Sequence, residues 1–258
     1  EGYQTLPRRP LEKRKLRYED VYPVLYLKYR LSRQAERSNI KHLVIDEMQD
    51  YSRLQYLIIR RMFSCKMTIL GDRAQTMADQ QQDVLQFLPG IFGKDLRRIE
   101  MRKSYRNTVE IASYAANLIG VTDLELFERH GMPVLERDVT DLEAALREAV
   151  DTLFPDEKTY ETAAVIVPDE KTAERAYLIL REILAEKDFD CGKRLSWLNR
   201  DSSSFKKGLT VTTFYLAKGL EFDQVFSIFP KDEKREIMMQ AQYIAATRAL
   251  HELRVYHI

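Results

Sequence analysis

Two short β-rich runs, each closing on acidic residues, constrain this chain most. His42-Leu43-Val44-Ile45 ends in Asp46-Glu47, and Met67-Thr68-Ile69-Leu70 ends in Gly71-Asp72. Brief apolar runs of this kind read as buried parallel strands rather than half-exposed hairpin strands. Between them Ser52-x-x-Gln55 has the pattern of a capping box and opens a helix that turns Leu54, Leu57 and Ile58 inward. Strand, helix and strand in succession call for an α/β fold, whose ligand crevice opens at the carboxyl ends of the strands. The acids stand at those ends.

The alternation continues. A helix is expected from Glu19 toward Ser32 on Val21, Val24, Leu25 and Leu31, after an Arg-, Lys- and Pro-rich linker over 1–18. A third strand is expected near 98–101. Asn107-x-x-Glu110 reads as a second capping box, opening a helix with Ile111, Tyr114, Ala115 and Leu118 on one face and Gly120 as its stop. Strands follow at 164–167, 209–213, 225–229 and 253–257, with helices at 173–184 and 236–250; residues 121–160 and 186–207 carry no clear period. The chain has 258 residues, 45% of them hydrophobic, enough for two modest cores. Forty-one basic against 40 acidic side chains leave a net charge of +1, so any nucleic-acid binding must be local rather than driven by a global field. Cys65 and Cys191 form no CxxC or Cys/His cluster, which argues against a zinc site or disulfide framework. With no secretory signal in the charged first 20 residues and no membrane-spanning run, a cytoplasmic protein is expected.

Asp46-Glu47-Met48-Gln49-Asp50 suits nucleoside triphosphate hydrolysis, where one carboxylate holds magnesium and another orients the attacking water. A solvated acidic turn is the plainer alternative. Arg248 falls on the stripe formed by Ile237, Ala241 and Ile244, so a permanently charged guanidinium points where apolar surface should be buried. It needs an anion, either a ligand or a structural carboxylate of the same domain. In Lys218-Gly219-x-Glu221 the glycine permits a tight turn and Glu221 suits a ribose hydroxyl.

Taken in order, these segments resemble the motifs of UvrD/Rep-type superfamily 1 helicases. Asp46–Asp50 is similar to motif II, Gly71-Asp72-Arg73-Ala74-Gln75 to motif III, and Ser104-Tyr105-Arg106-Asn107 to motif IV. Leu216-Ala217-Lys218-Gly219-Leu220-Glu221-Phe222-Asp223 resembles motif V, and Tyr243-Ile244-Ala245-Ala246-Thr247-Arg248-Ala249 motif VI. The resemblance implies RecA-like lobes with parallel sheets, ATP and Mg2+ as cofactors, and single-stranded DNA as partner. It implies that Asp46 holds the metal, Glu47 acts on water, and Gln75 senses the γ-phosphate. Arg106 and Arg248 become arginine fingers, Gly219 and Glu221 contact the nucleotide, and Thr213 and Tyr215 touch the nucleic-acid strand. Residues 1–96 are then the remainder of a first lobe and 97–258 the second, the two closing on one nucleotide.

The sequence also departs from the family. The Walker A loop G-x-x-x-x-G-K-[ST] is absent, so the first lobe is expected to be incomplete, this chain an excerpt of a longer protein, and the chain alone inactive. Thr76, Met77 and Ala78 stand where an aromatic would stack on a base, and Tyr215 replaces the usual His of motif V. With the short interval between motifs IV and V, these traits resemble the helicase IV or HelD-like branch, which offers an alternative: an ATPase that remodels or releases RNA polymerase.

Overall fold

A computed structural model describes residues 16–31, 37–75, 83–93, 96–122, 125–153, 160–187, 194–202, 207–231 and 236–258. Most of the expected opening linker, and Thr76, Met77 and Ala78, lie outside these. The chain divides into two compact units, Glu1–Ile99 and Glu100–Ile258.

In the first unit, helix α1 (Tyr18–Leu31) precedes strand β1 (His42–Ile45), helix α2 (Arg53–Met62), strand β2 (Lys66–Ile69) and helix α3 (Val84–Phe92). β1 and β2 pair in parallel, with His42 opposite Lys66 and Ile45 opposite Ile69. Only one face of this pair is covered: Ile45 is buried, whereas Val44 is 60% exposed. The expectation of a strand buried on both faces therefore fails for β1, whose residues alternate. Ser52 caps α2 through a full capping box with Gln55. The helix anchors itself less on the expected Leu54 and Leu57 than on Tyr56, which is fully buried among Ile45, Val84 and Leu88.

The second unit begins with a short parallel pair, β3 (Lys103–Ser104) and β4 (Glu125–Leu126), on either side of helix α4 (Val109–Leu118). No strand forms at 98–101; it is two residues long and begins at Lys103. The main sheet uses β5 (Leu135–Asp138), β6 (Thr162–Val167), β7 (Leu195–Trp197), β8 (Gly208–Thr213), β9 (Phe222–Phe229) and β10 (Ala249–His257). Their order is β5-β10-β9-β6-β8-β7, and every pairing is parallel. Helices α5 (Leu142–Asp151) and α6 (Glu170–Ala185) cover one face, α4 and α7 (Glu236–Thr247) the other. β6 shows why both are needed. Ala163, Val165 and Val167 face α5 and α6, Ala164 and Ile166 face α4 and α7, and all five are inaccessible to solvent. A strand buried on both faces loses the polar alternation of a surface strand.

Two helix boundaries differ from expectation in ways that affect the site. α7 ends at Thr247 and β10 starts at Ala249, so Arg248 is the single residue between them rather than part of a helix running to Leu250. The N-cap of α4 is Thr108, whose hydroxyl accepts from Ile111 N–H, and not Asn107. Glu110 does not close a capping box. Its carboxylate accepts from Gly131 N–H at 2.9 Å and pairs with His130 at 2.9 Å.

Candidate functional site

The acidic site of the first unit is built on the tips of β1 and β2. Leu70 N–H donates to Ile45 O and Met48 N–H to Leu70 O, both at 2.8 Å, which holds the two tips together beyond the strands. Tyr56 of α2 donates its hydroxyl to Met48 O at 3.1 Å. This bracing forces Glu47 into the left-handed region, with φ 52° and ψ 51°. Among the described residues it is the only non-glycine with positive φ. For an L-residue that conformation costs about 1–2 kcal/mol, which the surrounding bonds must offset.

The strain aims the Glu47 carboxylate along a polar chain. Its Oε2 accepts from Nε2 of Gln49, a side chain buried to 7% exposure. Oε1 of Gln49 accepts from Asp72 N–H at 3.1 Å, and Asp72 in turn accepts from Gln75 Nε2 at 3.0 Å. Glu47 and Gln75, expected to act on water and to sense phosphate, are thus the two ends of one hydrogen-bonded series that runs through Gln49 and Asp72. Gln49 was not singled out from the sequence; its place among the acids of the Asp46–Asp50 run was the available signal. Asp46 is exposed, and its Oδ1 accepts from Glu47 N–H at 2.8 Å.

Gly71 permits the close approach of the two tips. A Cβ there would meet Met48 Cγ at 2.4 Å, Gln49 Oε1 at 2.5 Å and Met48 N at 2.7 Å.

In the second unit the basic residues gather where β9 and β10 begin. Arg248 is 2% exposed. Its Nε donates to Ile244 O at 3.2 Å, one Nη to Leu220 O at 3.4 Å and the other to Thr247 Oγ1 at 3.2 Å. Its own carbonyl accepts from Phe222 N–H at 2.9 Å. Arg106, about half exposed, lies 2.6 Å from the Glu221 carboxylate. Such exposed pairs contribute only about 0–1 kcal/mol, so the guanidinium can be exchanged to a stronger anion at little cost. Glu221, expected to meet a ribose, is thus also the partner of Arg106. Gly219 has φ 76° and open space around it, so it serves the turn by its backbone freedom.

Thr213 and Tyr215 do not join this group. Thr213 pairs with Val167 at the C-terminal end of β6, whereas Phe222 and Ala249 pair with one another at the N-terminal ends of β9 and β10. About six residues of strand, roughly 20 Å, separate the two ends. Thr213 is buried and its hydroxyl accepts from Leu216 N–H at 3.3 Å, while Tyr215 is 58% exposed. Of the two, only the tyrosine offers its side chain to solvent.

The donor sets fit the expected groups. Mg2+ commonly takes one or two carboxylates and completes its shell with water and substrate phosphates. An exposed Asp46 at a strand tip suits that role, and among the described residues no group of three or more His, Cys, Asp or Glu forms a protein-only cage. Two guanidiniums at one end of the sheet suit phosphate oxygens, since arginine donates in a planar fork.

Residues 3–77 match the model of the UvrD/REP helicase N-terminal domain. Over that stretch the chain is similar to that domain. The matched stretch includes Asp46, Glu47 and Gln75, whereas Arg106, Glu221 and Arg248 lie beyond it. Among curated proteins none matches. Among solved structures this chain is similar to the C-terminal domain of a possible DNA helicase from Lactobacillus plantarum WCFS1, at 24% identity and a TM-score of 0.46, over 60% of this chain and 88% of that one. It is also similar to the PRRSV helicase, at 17% identity and 0.46, and to the arterivirus nonstructural protein 10 helicase in complex with DNA, at 14% and 0.48. In both cases 86% of this chain is covered, and it spans 36% and 41% of their lengths. No helix among the described residues is long and apolar enough to cross a membrane.

Proposed function

We propose that this chain belongs to an ATP-dependent DNA helicase or translocase, in which hydrolysis drives movement along single-stranded DNA. The observation that carries the reading is the buried Arg248 beside the exchangeable Arg106 at one end of a parallel sheet, in a chain whose other unit holds a strained Glu47. Bound ATP with Mg2+ would supply the transferable phosphoryl group and the charge that polarises it. Asp46 would hold the metal. Glu47, fixed by Gln49, would orient water and accept its proton. Gln75, tied to Asp72, would respond to the γ-phosphate. Arg106 would leave Glu221 and, with Arg248, stabilise charge on the phosphoryl oxygens, while Glu221 and the turn at Gly219 would receive the ribose.

The Thr213–Tyr215 segment, at the far end of the sheet, would meet the nucleic acid through Tyr215, whose exposed ring offers base stacking in place of a histidine, while the buried Thr213 would support the turn behind it. A cytoplasmic setting and the two-lobe division at 96/97 belong to the same proposal. Without a Walker A loop, the chain on its own should be inactive. The test is Glu47→Gln in the complete protein. ATP turnover stimulated by single-stranded DNA should fall at least about a hundredfold with nucleotide binding retained, and unchanged turnover would refute the proposal.

A further inference from the structure

Asn107 stands next to Arg106 in sequence, yet its side chain points away from its own helix. It is buried to 7% exposure, and Nδ2 donates to Thr247 O at 3.2 Å and to Ala249 O at 2.6 Å. Those two carbonyls flank Arg248. Only the amide NH2 has two protons to give, so the contacts also settle which way the amide is turned.

The surrounding bonds make this more than a loop tie. Arg248 O is held by Phe222 N–H, and the Arg248 side chain donates to Leu220 O. Between these two residues sits Glu221, the partner of Arg106. Three segments about 115 and 25 residues apart therefore close one circuit: Arg106-Asn107, Leu220-Glu221-Phe222 and Thr247-Arg248-Ala249. Within it, Asn107 is the one side chain that touches the backbone on both sides of Arg248 while its own backbone carries Arg106.

We infer that Asn107 is a positioning residue that holds Arg106 and Arg248 at a fixed spacing, making one phosphate clamp from two arginines. The inference rests on the proposed ATPase reading, because it assigns Asn107 no contact with substrate. Its physical basis is the sensitivity of phosphoryl transfer to the placement of charge. A guanidinium that must find its position after binding loses transition-state stabilisation while ground-state binding is largely kept.

The experiment is a double-mutant cycle in the full-length protein, measuring DNA-stimulated ATP turnover and thermal melting. Asn107→Asp is nearly isosteric but sets acceptor oxygens against two carbonyls. Asn107→Ala removes the donors without adding charge and serves if the aspartate variant does not fold. Either change should lower kcat about tenfold with KM for ATP within about threefold, and Asn107→Ser, which keeps one donor, should recover part of the loss. Combined with Arg248→Ala, either should cost no more than about threefold beyond Arg248→Ala alone, because the positioned group is already gone. Losses that multiply, or a kcat left intact by Asn107→Asp while Arg248→Ala abolishes turnover, overturn the positioning role alone. If Arg248→Ala leaves turnover intact, the arginine reading fails and takes this inference with it.

Discussion

Replacing Gly71 by alanine tests how tightly the acidic site is braced. One methyl group there would lie 2.4 Å from Met48 Cγ, 2.5 Å from Gln49 Oε1 and 2.7 Å from Met48 N. The first contact can be relieved by turning a flexible thioether. The other two cannot be relieved so easily. Gln49 Oε1 is held by Asp72 N–H, and Met48 N–H by Leu70 O at 2.8 Å. Moving either atom breaks a hydrogen bond in the series that aims Glu47. Overpacking of this kind costs about 1–3 kcal/mol and a lost internal hydrogen bond about 1 kcal/mol, so a local destabilisation of about 2–4 kcal/mol is expected. The assay is amide hydrogen exchange over residues 43–72, where that loss corresponds to exchange roughly thirtyfold to a thousandfold faster. Gly90→Ala in α3 is the control, since a Cβ there meets nothing within 4 Å. Inside a helix it should stabilise by about 0.5–1 kcal/mol. Exchange in Gly71→Ala within about threefold of the parent, or an equal loss in Gly90→Ala, would refute the bracing argument.

Two further outcomes follow from single groups. Removing the Tyr56 hydroxyl as Tyr56→Phe should cost about 1 kcal/mol, because Met48 O loses the shorter of its two bonds and keeps the one from Tyr51 N–H at 3.4 Å, whereas Tyr56→Ala should cost about 3–5 kcal/mol; chemical denaturation separates the two. The Glu110 carboxyl is lowered from its ordinary 4.5 to about 2, first by its bond with His130 and then by backbone N–H groups including that of Gly131. A depressed carboxyl pKa adds stability above pH 4.5 that is lost as pH falls toward 2, so the 129–131 segment should loosen across that window. The Gly131 amide resonance should report it, and Glu110→Gln should remove the pH dependence.

Much of the architecture was legible because it rests on local rules. β1 appears where the sequence places it, and the cap at Ser52 needs only residues within one turn. Gly120 lies in the left-handed region, with φ 68°, where a helix stop was expected. The illegible stretches concealed β5 and β7, short strands at the two edges of the sheet, and helix α5. An edge strand of three or four residues is too brief to show a period, and in β5 the charged Glu136, Arg137 and Asp138 face solvent. The same limit applies to the candidate site. Glu47, Asp46 and Arg248 stood out by type and spacing, whereas Gln49 and Asn107 are amides whose importance depends on what they touch.

The sequence by itself determined the strands and helices with a clear period, the acids at the strand tips and the cap at Ser52, since these follow from side-chain period and backbone sterics within a few residues. Tertiary structure alone decided the rest. Asn107 acts on residues about 140 positions away, and Arg106 finds Glu221 across more than a hundred. Parallel pairing sends Thr213 and Arg248 to opposite ends of one sheet. Glu47 takes a left-handed backbone only because Leu70 and Tyr56 hold the residue beside it. Contacts between distant segments have no period to read, and strain arises only once packing has closed around it.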